Sequence, residues 1–436
     1  MSPIITHRIL IACLPALITL LPVRLQSQTD SSIVEFLDRG YKSYYEEDYN
    51  SAANFLGLAL RKDSSVLKAY DFLGLSMAEL GDCPEADRVF SLGLARDSNN
   101  LSLLSHAAQA SFQCGFLGKS KTYYTRIVNS NLHQTRSIIT LAQIFLQEAN
   151  YDSAIIVLER GLSIDSNSLQ LHYLLGSSYL AKKKNVLAII ELEKTKSYNP
   201  AYFPVIRDLA LAYLQADSLL LATLEFQFAL SIQPDNSSLK MNLANCFFKR
   251  KSYDKALTLY SSLEKDPYIP SIYVQEGLSY FFLSKYDSAV IKFRRALTVD
   301  STLQAASFNL GLSYMELKKY HDAVRAFKQA IRFSKSDMIA NAYDRIGASY
   351  YEMRSFEKSL KAYKLAIDEN PRLPRTYFNL GVLYENSLKD YSKALESYLK
   401  VISLSERSDD PKSLFRKAKQ RVRFLQSLPT LKGRSK

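Results

Sequence analysis

The chain of 436 residues contains no tryptophan, and neither its histidines nor its cysteines occur in a metal-binding pattern. The five histidines show no His-x-x-x-His spacing, which argues against a helical zinc site. Cys13 lies in the apolar N-terminal stretch, and Cys83, Cys114 and Cys246 are widely spaced. An odd and widely spaced set predicts buried free thiols rather than a disulfide framework. We therefore expect no metal and no cofactor.

Catalytic motifs are also missing. Gly118-Lys119-Ser120 resembles the end of a phosphate-binding loop, but Gln113 stands where that motif needs a glycine, and no strand precedes it. The sequence shows no nucleophile at a recognisable spacing from a base. These absences predict a protein that is not an enzyme.

A long apolar run is absent as well, and the longest one, Ile9 to Val23, is too short to cross a membrane. It follows His7-Arg8 and fits the apolar region of an export signal. We expect residues 1–28 to be a signal peptide, and the protein to be exported to the periplasm, the cell envelope or the outside. An uncleaved N-terminal anchor and lipidation at Cys13 remain alternatives.

The excess of positive charge lies mainly at the ends of the chain. The net charge is +13, yet residues 29–410 carry 45 basic and 43 acidic side chains, and most of the excess lies in nine Lys and Arg residues after Asp410. Because residues 29–410 are nearly neutral, we do not expect this part of the chain to bind along the phosphates of a nucleic acid. The basic C-terminus is compatible with peripheral contact with an anionic surface.

What the chain does have is an internal repeat of about 34 residues. Small residues recur at eleven positions, which we call the reference positions: Gly40, Gly74, Ala108, Ala142, Gly176, Ala210, Ala244, Gly277, Gly311, Gly347 and Gly381. A second small residue follows each of them twelve positions later, or thirteen in the last repeat, where Ala394 suggests a longer turn at Lys389-Asp390. Two short antiparallel helices approach closely only where one contributes such a residue, so each repeat predicts a helical hairpin.

This pattern resembles the tetratricopeptide repeat family. The period, the pair of small residues and the Leu310-Gly311 to Tyr314 core match that family, while the third repeat departs most, with Ser111 and Ser120 at two signature positions. The resemblance implies an all-α fold, a right-handed α-solenoid of about eleven helical hairpins over residues 33–406. Residues 410–428 read as a basic capping helix whose apolar side carries Ala418, Val422 and Leu425, and residues 429–436 as a disordered tail.

The resemblance also implies a concave groove lined by the first helix of each hairpin. Positions three before and one, four and five after the reference residue would face into it. In repeats eight and nine these positions are mainly apolar, and we predict a partner-binding groove at Val274, Leu278, Phe281, Phe282, Phe308, Leu312 and Met315. Repeats three and four instead offer Ser105, Gln109, Gln113, Ile139, Gln143 and Gln147, a neutral and mainly polar set.

Some members of the family hold chaperone C-termini with a clamp of lysine and asparagine residues. At the matching positions this chain has Met241, Asn245 and Gln275, so the lysines are missing and we do not expect that clamp.

The sequence thus predicts a non-enzymatic scaffold that binds a peptide or a partner protein in its groove. Apolar groove side chains are suited to anchoring such a ligand. Two alternatives stay open: a surface-associated protein tethered by its basic C-terminal helix and tail, and an accessory subunit of an envelope enzyme complex. A purely structural role for Phe281 and Phe308, packing against neighbouring repeats, is open too.

Overall fold

The computed structural model describes residues 31–130, 135–263, 269–334, 337–405 and 412–428. Within these ranges all regular elements are helical, namely 23 α-helices and one π-helical turn. None of the described helices is long and apolar enough to cross a membrane. The predicted signal peptide, residues 1–28, and the predicted tail, residues 429–436, lie outside the described residues, and both stay predictions.

The chain divides into two units, which meet between Leu174 and Leu175. The first unit contains α1 (Ser31–Tyr45), α2 (Tyr49–Lys62), α3 (Leu67–Glu79), α4 (Cys83–Arg96), α5 (Leu101–Gln113), α6 (Leu117–Asn129), α7 (Thr135–Gln147) and α8 (Tyr151–Ile164). Helix α9 (Leu169–Ala181) begins in the first unit and ends in the second.

The second unit continues with the remaining helices of the array. They are α10 (Asn185–Tyr198), α11 (Phe203–Gln215), α12 (Leu219–Ile232), α13 (Ser237–Lys249), α14 (Tyr253–Ser262), α15 (Pro270–Phe282), α16 (Tyr286–Val299), α17 (Gln304–Glu316), α18 (Tyr320–Phe333), α19 (Asp337–Glu352), α20 (Phe356–Glu369), α21 (Pro374–Leu383) and α22 (Tyr391–Ser405). Helix α23 (Lys412–Ser427) follows. Odd- and even-numbered helices up to α22 form eleven consecutive hairpins, which confirms the predicted all-α solenoid of helical hairpins.

The small residues that defined the repeat lie at the centre of each hairpin. All eleven reference residues are buried, and so are their partners twelve or thirteen positions later. In the two hairpins where that partner is a serine, its hydroxyl donates to the backbone carbonyl of the reference residue: Ser120 to Ala108 at 2.9 Å and Ser359 to Gly347 at 2.8 Å. The second helix therefore meets the backbone of the first at this point.

The space above each reference glycine is filled by a large side chain of the second helix. A Cβ placed on Gly311 would lie 2.6 Å from Cε1 of Phe327, whose ring is fully buried. Gly277 meets Phe293 and Gly347 meets Tyr363 in the same way. Glycine is thus required in these hairpins by the ring sixteen positions further on.

We expect Gly311→Ala to lower the free energy of unfolding by about 2 kcal/mol, because the new methyl group must displace the buried ring of Phe327. Gly57 on α2 provides the matched control, since a Cβ there meets nothing within 4 Å. Gly57→Ala should instead raise stability by about 0.5–1 kcal/mol through helix propensity. Urea denaturation followed by circular dichroism measures both. Equal effects of the two substitutions would contradict the packing described for Gly311.

Each hairpin turn contains one residue in the left-handed region. Glycine occupies this position in only two turns, Gly81 and Gly115, whereas the other nine carry residues such as Lys318 with φ near 58°. In repeat nine the amide of Lys318 donates to the carbonyl of Met315, and that of Lys319 to Tyr314, both at 2.8 Å. These paired bonds satisfy the last carbonyls of the first helix and reverse the chain direction.

The extra residue of the last repeat lies in the helix rather than in the turn, so the prediction of a longer turn at Lys389-Asp390 was wrong. Residues Tyr384–Leu388 form a π-helical turn at the end of α21. Lys389 is the left-handed residue and Asp390 accepts a bond from the amide of Lys393, as expected of an ordinary hairpin turn. A π-turn absorbs one additional residue without changing the connection to the next helix.

The prediction of free thiols was wrong for two of the three cysteines. Cys83 at the start of α4 and Cys114 at the end of α5 form a disulfide, with their Cα atoms 5.8 Å apart. Widely separated in sequence, they meet because consecutive repeats pack side by side. Cys246 is a buried free thiol, as predicted.

Helix α23 packs on the last hairpin. Ala418, Val422 and Leu425 are buried in a cluster with Tyr398 and Leu383. Arg421 also donates from Nε to the buried carboxylate of Glu385 in the π-turn, at 3.0 Å. Residues 410 and 411 of the predicted capping segment lie outside the described part of the chain.

Candidate functional site

Two apolar stripes occupy neighbouring first helices of the second unit. The stripe on α15 consists of Val274, Leu278 and Phe281. The stripe on α17 consists of the residues at the same repeat positions, Phe308, Leu312 and Met315. The spacing of four and then three residues places each trio on one side of its helix. Because α15 and α17 are in contact, the two trios belong to neighbouring helices of one surface. We call these six residues the first-helix face.

The side chains of the first-helix face are half-buried rather than free. Those of α15 pack against a core cluster centred on Tyr273, Phe293 and Leu310. Those of α17 pack against a second cluster that contains Phe327 and Ile346, and the rings of Phe308 and Phe327 have centroids 5.4 Å apart. Each residue therefore combines a packing role with a partly accessible apolar surface.

Phe282, the seventh predicted groove residue, contacts Phe281 edge-on at 5.8 Å but differs from the six in its exposure and its other neighbours. It is the last residue of α15, is 51% exposed and stacks on Tyr253 with ring centroids 4.9 Å apart. It also contacts Phe248 edge-on at 5.8 Å. Phe282 therefore belongs to an aromatic cluster at the hairpin turns of repeats seven and eight.

The groove positions that were predicted to be mainly polar lie on α5 and α7 of the first unit. Gln109, Gln113 and Gln147 are exposed, whereas Ile139 and Gln143 are half-buried. Of the residues compared with the carboxylate clamp, Asn245 accepts a hydrogen bond from the buried Tyr260 hydroxyl at 2.7 Å. Its side chain is therefore used in packing of the seventh hairpin.

Sequence reasoning missed a set of buried carboxylates that join successive first helices. Asp344 on α19 accepts from Arg375 at 3.0 Å and from Asn379 at 3.1 Å, both on α21. At the same repeat position Asp71 on α3 contacts two residues of α5. Both carboxylates are almost completely buried. The sequence did contain a signal for these carboxylates. An acid stands three positions before the reference residue, where repeats eight and nine have an apolar residue.

The group around Asp71 brings Ser102 and His106 together, but not in a catalytic order. The Ser102 hydroxyl donates to Oδ2 of Asp71 at 2.6 Å, and Nδ1 of His106 lies 2.7 Å from Oδ1. The carboxylate lies between the other two groups, whereas an activated serine needs the imidazole as its direct neighbour. The trio links two helices.

Three further groups that sequence analysis singled out are engaged in packing or unreactive. Ser120 is buried in its hairpin, and Lys119 pairs with Asp87 at 2.5 Å, so neither forms part of a phosphate loop. Burial raises the pKa of the Cys246 thiol to about 11, which keeps it protonated near neutral pH. No cluster of three potential metal ligands occurs among the residues that the structure describes.

Consecutive helical hairpins with small residues at equivalent positions define a helical-repeat protein. The side chains described above pack within and between these hairpins. Two models of the tetratricopeptide repeat match the chain, one over residues 135–168 and 374–408 and the other over residues 207–270 and 274–337. The chain thus contains tetratricopeptide repeats.

Solved structures similar to the chain include yeast Tom70, with 13% identity over 93% of this chain and 99% of Tom70, at a TM-score of 0.42. The C-terminal part of a tetratricopeptide repeat-containing protein from Cytophaga hutchinsonii matches with 16% identity over 56% of this chain and 99% of that C-terminal part, at 0.49. MamA from Desulfovibrio magneticus RS-1, solved from residue 41 to its end, matches with 24% identity over 40% of this chain and 98% of that MamA chain, at 0.37. No curated protein matches the chain.

Proposed function

We propose that this protein is a non-enzymatic scaffold, exported to the cell envelope or beyond, whose first-helix face binds a partner protein or peptide. The observation that carries the proposal is the pair of apolar stripes on α15 and α17. Six side chains at equivalent positions of adjacent repeats remain partly accessible, which suits a ligand with regularly spaced apolar anchors.

Export is supported by the disulfide in the first unit. Disulfides form and persist in the periplasm, the endoplasmic reticulum and outside the cell, and are rare where thiols are kept reduced. Cys83 and Cys114 join two consecutive hairpins and so serve the fold itself. N-terminal sequencing of the mature protein would test export: a chain that begins near Gln28 is the expected result, and one that retains Met1 contradicts a cleaved signal.

The binding proposal predicts that Val274→Ser combined with Leu312→Ser weakens capture of the partner at least about tenfold, since each aliphatic group contributes more than about 1 kcal/mol when buried. These two side chains are preferred to Phe281 and Phe308, whose aromatic rings fill more of the core surface. The measurement is crosslinking of the intact protein in cells, followed by affinity capture and mass spectrometry.

The matched control replaces two similarly sized side chains on second helices, Leu365→Ser and Leu399→Ser, which are 36% and 45% exposed. We expect the control to capture the partner as the wild type does, and both variants to retain the helical circular dichroism spectrum. Unchanged capture by the Val274 and Leu312 variant would refute the assignment of the first-helix face.

A further inference from the structure

A second apolar surface lies on the second helices of repeats five and six. It is formed by six side chains at matching repeat positions: Val186, Leu187 and Ile190 on α10, and Leu220, Leu221 and Leu224 on α12. All are between 42% and 69% exposed. Lys196 on α10 pairs with Glu225 on α12 at 2.5 Å, so these two helices are neighbours.

Only these two repeats have aliphatic residues at all three positions, although Ile156 and Ile291 are exposed at the third position in repeats four and eight. The positions equivalent to Val186 and Leu220 hold acids in four other repeats, namely Asp152, Asp254, Asp287 and Glu357. Contiguous exposed aliphatic groups of this kind mark a contact surface on a folded protein.

Acidic side chains on α10 and α12 are all held by partners. Glu191 pairs with Lys194 at 3.3 Å, and Glu193 accepts from the Tyr213 hydroxyl at 2.6 Å. Glu225 is the partner of Lys196 described above. The apolar side chains therefore have no exposed, unpaired carboxylate on their own helices.

Cations border the apolar surface at the hairpin turns. Lys182, Lys183 and Lys184 form the turn that leads into α10 and are exposed, and the turn of repeat seven carries Arg250 and Lys251. The one acid in the intervening turn, Asp217, lies 3.7 Å from Lys249. Turns of the first unit have the opposite sign, with Glu46, Glu47, Asp48, Asp82 and Glu148.

Aromatic groups extend the same edge into repeats seven and eight. The cluster of Phe248, Tyr253 and Phe282 lies where α13 and α15 end and α14 begins, beside the cationic turn. One edge of the second unit thus combines aliphatic, cationic and aromatic side chains. We call it the turn edge, meaning the hairpin turns of repeats five to eight with the six aliphatic residues of α10 and α12.

We propose that the turn edge docks on the surface of an anionic lipid bilayer, a role that is independent of the first-helix face. Aliphatic side chains would enter the interface, lysines would contact the headgroups, and aromatic rings would lie at headgroup level. A symmetric dimer through this surface would bring the same cation-rich edge from both copies together, which electrostatic repulsion disfavours. The excess of cations over acids therefore favours an anionic membrane as the occupant.

The absence of tryptophan from the chain allows a direct test. A single tryptophan introduced as Leu221→Trp reports on the turn edge, and Leu399→Trp, at a residue of nearly equal exposure, reports on a distant second helix. With vesicles containing phosphatidylglycerol, we expect a blue shift and quenching by brominated acyl chains for Leu221→Trp alone. Vesicles of phosphatidylcholine should give neither signal.

The lysines are tested in the Leu221→Trp background. Lys182→Glu, Lys183→Glu and Lys184→Glu together should weaken vesicle binding at least about tenfold. Lys328→Glu, Arg332→Glu and Lys364→Glu, exposed residues elsewhere in the second unit, change the net charge equally and should have a much smaller effect.

Three results would overturn the proposal: no spectral change at Leu221→Trp, equal changes at both tryptophans, or equal losses from both sets of charge reversals. A blue shift that depends on protein concentration and needs no vesicles would identify a second copy as the occupant instead. Because the reporter monitors residue 221, binding through either end of the chain does not produce the expected signal.

Discussion

Replacing Cys83 and Cys114 with alanine should lower the free energy of unfolding by about 3–4 kcal/mol. The bond closes a loop of 31 residues in sequence, and the chain-entropy account of a disulfide gives a value of this size. The loss should be concentrated in the first unit, where faster hydrogen exchange of α3 to α6 would reveal it. Urea denaturation of the wild type and the variant measures the difference.

Reduction offers a control for this prediction. Dithiothreitol should lower the stability of the wild type to that of the Cys83→Ala and Cys114→Ala variant, while leaving the variant unchanged. If the oxidised wild type were no more stable than the variant, the disulfide would contribute nothing to the fold, and its support for export would disappear with it.

Arg375→Met should lower the free energy of unfolding by about 3 kcal/mol, because it removes the cation that forms an ion pair with the fully buried carboxylate of Asp344. We take the lower part of the usual range because the Arg375 side chain is 42% exposed and is partly solvated already. The same region contains Arg345, whose pKa is lowered chiefly by burial and also by the charge of Arg375, while Asp344 opposes both effects. Asp344 is thus central to the balance of charge between α19 and α21.

Arg372→Met is the matched control, since Arg372 is exposed and lies three residues away, before α21 begins. Its effect should stay within about 0.5 kcal/mol. Adding Asp344→Asn to Arg375→Met should recover part of the loss, because a neutral amide costs less to bury than an unpaired carboxylate. Equal effects of Arg372→Met and Arg375→Met would show that the buried pair does not stabilise the junction.

Most of the fold could be predicted because every hairpin needs the same small residues in the same places. Gly311 and its equivalents set the register, and the structure keeps it in all eleven hairpins. The additional residue before Ala394 was visible in the sequence, but its position was not. A longer turn and a π-turn give the same spacing between Gly381 and Ala394. The two differ only in which backbone carbonyl accepts the hydrogen bond of each amide.

The contacts between repeats could not be predicted in the same way. Cys83 and Cys114, Asp344 and Arg375, and Asp71 and Ser102 are each separated by 31 residues. That separation is three less than the period and reflects side-by-side packing of consecutive repeats. Reading the sequence within single repeats misses such pairs, whereas a comparison of each repeat with the next would have suggested all three.

The residues of the first-helix face could largely be predicted from the register of the repeats alone. Val274, Leu278, Phe308 and Leu312 follow from their distance to Gly277 and Gly311. What register does not reveal is the division of each side chain between core and solvent, which depends on neighbours such as Phe327. Phe282 illustrates the limit, because its stacking on Tyr253 depends on the end of the preceding hairpin.

Hydrogen exchange of the full chain, with and without its captured partner, tests the central claim most directly. We predict slower exchange in α15 and α17, over the segments that contain Val274 to Phe281 and Phe308 to Met315, with little change in α10 and α12. Protection confined to other helices, with α15 and α17 unaffected, would contradict binding at the first-helix face.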